Sequence, residues 1–265
     1  MIATLRFRKT VWAHYKKYGR HDLPWRHTHD PYRILVSEVM LQQTQVERVV
    51  PFYTKFTKKF STAKKLAKAP LSEVLKSWQG LGYNRRAKML HQAAKELRAT
   101  RFNLVARLEK LPGIGSYTAR AVAAFAYNQD VIVLETNIRT VVLHHFFPKK
   151  RKVSDSEIEK ILIQTLPKGR AREWYSALMD YGAYLKRSGI SHNARSKTYT
   201  KQSKFAGSLR EARGAILREL AKGSRTETRL ISLLDNRVLQ MRRALRNLFA
   251  EGLIQKRGTV FTLPR

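Results

Sequence analysis

The sequence predicts a mostly helical protein that ends in a small helix-and-hairpin module. Three observations carry that expectation. Apolar and aromatic residues recur at helical spacing through the first 185 residues. Glycine and proline punctuate these stretches, and only one short strand-like run, at 131–134, interrupts them. After a polar, basic stretch at 186–204, three further helical patterns lead into strand, glycine, strand.

Each element follows from local chemistry. Leu5, Val11, Trp12 and Tyr15 predict a helix over 4–18, ended by Gly19. Leu23-Pro24-Trp25 reads as a loop with an aromatic anchor. Asp30 is a good N-cap and Pro31 suits the first helical position, so a helix should run from Tyr32 to about Gln43. Further helices are expected over 45–60, 63–69, 71–78 and 85–100, with Gly80-Leu81-Gly82-Tyr83 as a turn. A helix over 104–111 precedes Pro112-Gly113-Ile114-Gly115, and an alanine-rich helix over 116–127 follows. Helices over 136–147, 154–166 and 172–185 complete the first domain, residues 1–185. Residues 186–204 read as a basic linker or a DNA-facing loop. Residues 205–265 hold helices over 210–221, 225–234 and 236–251 and a hairpin over 252–263, the pattern of a winged helix.

Charge is the strongest global feature. Fifty-three Lys and Arg against 19 Asp and Glu give a net +34 over 265 residues, which favours a polyanionic partner, nucleic acid above all. The 43% hydrophobic content is enough for a real core. There are no cysteines, which excludes disulfides, cysteine-held zinc, iron–sulfur clusters and thiol nucleophiles. No apolar run approaches the roughly 18 residues of a membrane span. The N-terminus lacks a secretory h-region, so a soluble cytoplasmic protein is expected. The eight histidines are scattered without metal-ligand spacing, and no metal is expected.

Two motifs carry chemistry. In Leu111-Pro112-Gly113-Ile114-Gly115-Ser116-Tyr117-Thr118-Ala119, paired glycines let the backbone approach an anion just before a helix N-terminus. In so basic a chain that anion is expected to be a DNA phosphate; the alternative is an ordinary helix–helix turn. In Val36-Ser37-Glu38-Val39-Met40-Leu41-Gln42-Gln43-Thr44-Gln45-Val46, Glu38 interrupts an apolar helical stretch. Desolvation would favour its protonated form and suit it to proton donation, unless it is a solvated or paired helix residue. The glutamines either wedge into a base stack or close the helix.

Leu23-Pro24-Trp25, the run from Ser37 to Val46, Trp78-Gln79-Gly80-Leu81-Gly82-Tyr83 and the run from Leu111 to Ala119 occur in the order and spacing of MutY-type adenine DNA glycosylases. The resemblance covers about residues 10–185. It implies the all-α helix–hairpin–helix DNA glycosylase fold of two helical lobes with the active site between them. It implies Glu38 as the acid that protonates adenine, and Arg20, Trp25, Leu41, Asn137 and Asp180 around the flipped base. Gln43 and Tyr83 match residues that wedge and fill the duplex, since the scissile bond is inaccessible inside the stack. Tyr117 stands where related lyases carry a lysine nucleophile, which implies a monofunctional enzyme. Pro112, Gly113, Gly115 and Ser116 match the DNA-binding hairpin.

The sequence departs from that family in three ways. Its catalytic aspartate is here Glu135; a carboxylate there can still stabilise an oxocarbenium ion, but a displacement of about 1 Å can cost about a hundredfold in rate. The four-cysteine iron–sulfur loop is absent, and Lys186, Arg187, Arg195 and Lys197 are expected to bind phosphates without it. The C-terminal reader of 8-oxoguanine is replaced by the winged-helix pattern, in which Arg242 and Arg243, with Arg237 and Arg246, contact DNA or form a solvated face. The expected function is hydrolysis of the N-glycosidic bond of adenine opposite 8-oxoguanine or guanine in double-stranded DNA, by a monomer without cofactor. The alternatives are a glycosylase for mismatched thymine or uracil or a damaged base, and a noncatalytic DNA-structure binder.

Overall fold

The computed structural model describes residues 2–97, 105–195, 204–234 and 237–265. They form two units of interleaved sequence, the first within 2–35, 105–109 and 114–195 and the second within 36–97, 110–113 and 204–265.

The first unit is helical. It holds α1 (Ile2–Tyr18), the short α7 (Val105–Leu108), α8 (Ser116–Tyr127), α9 (Thr136–Phe146), α10 (Asp155–Thr165) and α11 (Ala171–Arg187). Its core gathers Phe7 and Val11 of α1, Ile138, Val141 and Val142 of α9, and Trp174, Tyr175 and Leu178 of α11. Trp174 and Tyr175 are fully buried, as core residues rather than ligand contacts.

Three expected boundaries move here. Residues 131–134 form no strand among the described residues; the Tyr175 hydroxyl donates to the Val131 carbonyl at 2.8 Å. Of the helix expected over 104–111 the described residues show one turn, α7, followed by a turn at 109–110; residue 104 lies outside the described residues. Helix α11 continues into the supposed linker as far as Arg187. It ends where the Ile190 N–H bonds to the Leu185 carbonyl and Gly189 takes φ +81°, a C-terminal motif built around a left-handed glycine.

The second unit begins inside α2 (Pro31–Leu41), whose first residues belong to the first unit. Asp30 accepts from the Tyr32 N–H at 2.9 Å, as its position before Pro31 predicts. Helices α3 (Val46–Lys59), α4 (Ala63–Lys68), α5 (Leu71–Trp78) and α6 (Arg85–Glu96) follow. Phe56 packs edge-on against Phe60 and Trp78. The helix expected to reach Thr100 is described to Glu96; residues 98–104 lie outside the described set.

The C-terminal segment belongs to this second unit. It contains α12 (Leu209–Lys222), α13 (Glu227–Ile231), α14 (Val238–Ala250) and an antiparallel sheet ordered β1 (Arg225–Thr226), β3 (Val260–Thr262), β2 (Gln255–Arg257). The hairpin β2–β3 is as expected. The helix expected over 225–234 instead starts at Glu227, because Arg225 and Thr226 pair with Phe261 and Val260. The Gln79 amide donates to the Leu217 carbonyl at 3.1 Å, and the Ser72 N–H to Pro264 at 2.9 Å, so the segment is fastened onto α5.

Candidate active site and DNA-facing turns

Glu38 lies on the apolar helix α2 and is 6% exposed, with Val36, Val39 and Met40 buried beside it in sequence. Its carboxylate is thus largely removed from water.

Helix α2 stops at Leu41, two residues short of the expectation, because Gln43 takes a left-handed φ of +54°. The carbonyls left open there are taken by Arg86. Its guanidinium donates to Val39 (2.8 Å), Met40 (2.9 Å) and Gln42, and to the Thr44 hydroxyl (3.1 Å). The same group donates to Leu81 (3.3 Å) and Gly82 (3.2 Å) of the second turn. Burial pushes Arg86 down to about 10, so it remains charged at neutral pH. That second turn needs its glycines. Gly80 has φ +102°, and a Cβ there would meet the Phe52 ring at 2.6 Å. Trp78 donates from its indole to Gly82 at 3.2 Å, and Tyr83 follows at φ +47°. Gln43, exposed, and Tyr83, half-buried, are therefore presented by two turns tied to one arginine. Leu41 is half-buried at the end of α2.

In the first unit Glu135 is the N-cap of α9. One carboxylate oxygen accepts from the Asn137 and Ile138 N–H groups at 2.7 and 2.8 Å. The other accepts from the Thr136 hydroxyl at 3.1 Å and the Asn137 amide at 3.3 Å. The methylene that lengthens it relative to aspartate is thus taken up by folding the carboxylate back on its own helix. Gly182 of α11 lets α9 approach: a Cβ there would stand 2.6 Å from the Asn137 carbonyl carbon. One turn further along α11, burial lowers Lys186, with the Glu135 charge opposing and Arg139 adding to that shift.

Asp180 is buried and bound by two arginines. Arg20 reaches it with Nε at 2.7 Å and its backbone N–H at 2.8 Å; Arg26 reaches it with Nη1 at 2.7 Å and Nη2 at 2.8 Å. Burial alone would raise the Asp180 carboxyl, but Arg26 and then Arg20 outweigh it and hold it below the usual carboxylate range. Trp25, half-buried in the 3-10 turn Pro24–Arg26, is fixed by the same network through its neighbour Arg26. Tyr117 packs half-buried against the first unit's core.

The hairpin is as open as a phosphate site requires. Leu111 and Ile114 are buried anchors, while Gly113, Gly115 and Ser116 are exposed and Pro112 is half-exposed. Gly113 has φ +74°, and a Cβ there would meet that of Met89 at 2.5 Å. Helix α8 has no side-chain cap at Gly115, so its first N–H groups face outward.

The remaining basic residues divide. Arg187 is exposed at the end of α11. Arg195 donates to the carbonyls of Phe147 and Lys150, so its guanidinium secures the chain after α11. Lys197 lies outside the described residues. An iron–sulfur cluster does not fit here: no residue of 186–200 is a cysteine, and the described part is held by amide and guanidinium donors. Arg242 and Arg243 are exposed on α14 with Arg246, and no ion pair engages them among the described residues. The nearby carboxylates are taken elsewhere: Glu211 by Arg237, Glu219 by Arg225 and Lys222, Glu251 by Arg213.

Sequence reasoning missed Arg26, Arg86 and Gly182. Arg26 adjoins the Leu-Pro-Trp signal and Arg86 follows the Gly-Leu-Gly-Tyr turn, which were the available cues. Nothing local marks Gly182.

Residues 36–168 match the HhH-GPD superfamily base excision DNA repair protein family. An adenine DNA glycosylase of Buchnera aphidicola subsp. Baizongia pistaciae is 37% identical over 193 residues, covering 69% of this chain and 54% of its own. Another, from Mycolicibacterium smegmatis, is 36% identical over 264 residues, covering 90% of this chain and 89% of its own. The chain thus spans about half the length of the first relative and most of the second. Among solved structures, a thermostable thymine-DNA glycosylase superposes with a TM-score of 0.61 at 26% identity, over 72% of this chain and 90% of that one. Helical architecture, the glycine hairpin and these matches agree: the chain belongs to the HhH-GPD superfamily of base excision DNA repair proteins, among its MutY-type adenine DNA glycosylases.

Proposed function

We propose that the chain hydrolyses the N-glycosidic bond of adenine mispaired with 8-oxoguanine or guanine in double-stranded DNA. The observation that carries this reading is Glu38, a buried carboxylate on an apolar helix that runs directly into the Gln42-Gln43 turn. Gln43 and Tyr83 enter the duplex and the adenine swings out of the stack. Glu38 gives its proton to the base, the bond to the sugar breaks with its electron pair leaving on the base, and water adds to the sugar and gives up a proton that restores Glu38, leaving an abasic site. Glu135, held at the head of α9, supplies negative charge toward the cationic sugar. Arg20, Trp25, Asn137 and Asp180 of the first unit and Leu41 of the second are the residues that the family resemblance assigns to the base. Tyr117 offers no amine for a Schiff base, so the enzyme releases the base and leaves the strand uncut.

DNA is held by the hairpin 112–116, by Lys186, Arg187 and Lys197, and by the exposed Arg242 and Arg243, while Arg195, expected to join them, is engaged by the Phe147 and Lys150 carbonyls. No helix among the described residues is long and apolar enough to cross a membrane; we place the protein in the cytoplasm on DNA, as a monomer. The test is single-turnover base release from duplexes carrying adenine opposite 8-oxoguanine, adenine opposite guanine, and thymine or uracil opposite guanine. Glu38→Gln should abolish adenine release and leave duplex affinity nearly intact. An active Glu38→Gln variant would sink the assigned acid role.

A second reading is release of mismatched thymine, favoured by the 26% identical thymine-DNA glycosylase and by the change to Glu135. Release from the thymine duplex with silence on adenine would select it. Tight binding with silence throughout would select a noncatalytic binder.

A further inference from the structure

Tyr83 is held by two arginines. Arg86, the arginine that ties the two turns, has its guanidinium carbon 5.4 Å from the ring centroid. Arg210 in the first turn of α12 donates from Nη1 to the Tyr83 hydroxyl at 2.8 Å, with its guanidinium carbon 5.2 Å from the same ring centroid. Phe205 lies 5.9 Å from Arg210. Arg210 thus reaches 127 residues back along the chain to the Tyr83 phenol, while its Nη2 donates to the Lys204 carbonyl at 3.4 Å.

The C-terminal segment is well placed to carry that load. Ser208 caps α12 by accepting from the Glu211 N–H. Gln79, the residue before Gly80, donates to Leu217 of α12 at 3.1 Å. Lys88, two residues after Arg86, donates to the Glu251 carbonyl, and the Glu251 carboxylate is gripped by Arg213 of α12 through two bonds of 2.7 Å. The turn that presents Tyr83 is therefore bracketed by bonds to the C-terminal segment at positions 79, 83 and 88.

We propose that the C-terminal segment positions the duplex-probing tyrosine: Arg210 is a positioning residue that holds Tyr83 ready for insertion, so the segment acts on base extrusion as well as on affinity. The proposal rests on the reading that Tyr83 enters the duplex. A phenol tethered at its oxygen with two guanidinium groups near its ring has little rotamer freedom left to lose on entering DNA, and that saved ordering cost appears in the extrusion step.

The test compares wild type, Arg210→Met, Tyr83→Phe and the double variant in the full chain. Hydrogen exchange of the amides at 80–84 reads the tether without any substrate. Arg210→Met should speed their exchange; unchanged exchange overturns the proposal whatever the enzyme's activity. Single-turnover adenine release at saturating protein should fall about tenfold in Arg210→Met, the worth of one charge-assisted hydrogen bond, with an unchanged melting temperature. Tyr83→Phe removes the acceptor, so adding Arg210→Met to it should cost little more. Additive losses would mean that Arg210 acts elsewhere, for example on a phosphate, and would overturn the assignment. A wild-type protein silent on every adenine duplex would defeat the adenine reading, while the exchange result would still decide the tether.

Discussion

Replacing Gly182 by alanine should impair catalysis from a helical position that is not itself among the proposed substrate contacts. The added Cβ would lie 2.6 Å from the Asn137 carbonyl carbon and 2.8 Å from the Asn137 Cβ, with the carbonyl oxygen nearer still. Ordinary contact begins near 3.4 Å, so α9 and α11 must separate by about 0.8 Å or more. The neighbours in question are backbone, which cannot rotate away. The segment pushed is the first turn of α9, whose Asn137 and Ile138 N–H groups fix the Glu135 carboxylate. Overpacking of this kind costs about 1–3 kcal/mol of stability. A shift of about 1 Å in a reacting group costs about a hundredfold in rate. Gly214, another helical glycine, is the control: a Cβ there meets nothing within 4 Å, so Gly214→Ala should gain about 0.5–1 kcal/mol. The assay is single-turnover base release with thermal melting of both variants. A Gly182→Ala enzyme that melts normally and keeps its rate within about threefold would refute both the clash and the positional role of α9.

Two further perturbations follow. Asp180→Asn leaves Arg20 and Arg26, with side chains 25% and 13% exposed, facing a neutral group. Loss of a buried counter-ion costs about 3 kcal/mol, so the melting temperature should drop by roughly 6–12 °C for a chain of this size; a drop below about 2 °C would count against a buried ion cluster. Burial, and then the His144 charge, push His145 down to about 4, and burial also lowers His14 and His192. Around these rings stand Tyr181, Tyr184, Asp180, Arg187 and Arg195, besides one another. Each histidine binds a proton more readily in the unfolded chain, so its contribution is complete above about pH 6.5 and is lost as pH falls toward 4. The urea midpoint should therefore fall between pH 7 and 5, and His145→Gln should flatten that fall. A midpoint that is flat or rises in wild type would contradict the sign.

The helical elements were legible because their period is local. The paired termini of α5 and α8 are set by Pro70, Gly115 and Ser116, all within a few residues of the ends they fix. What escaped is long-range. Strand β1 is two residues with no pattern of their own, made a strand by Phe261 and Val260. Residues 131–134 had the β-branched composition of a strand but form none among the described residues. Glu38 stood out as one acid in an apolar run. Arg26 and Arg86 did not, since a chain with 53 basic residues gives no local sign of which one turns inward. Gly182 was invisible for a similar reason: its meaning lies in the backbone of Asn137, 45 positions away.

The positive-φ residues that are not glycine show how strain and function are distributed. Asn128, at φ +53°, closes α8, where asparagine tolerates the left-handed region, and its side chain accepts from the Arg172 N–H at 2.9 Å. That is an ordinary helix end. Gln43 and Tyr83, at +54° and +47°, have no such aptitude, and each costs about 1–2 kcal/mol in that conformation. Both persist because the two Nη groups of Arg86 bind carbonyls of both turns, a forked arrangement that a lysine point charge would not fulfil. The two strained side chains are the two expected to meet the duplex. In those turns the backbone cost is therefore set against one buried guanidinium.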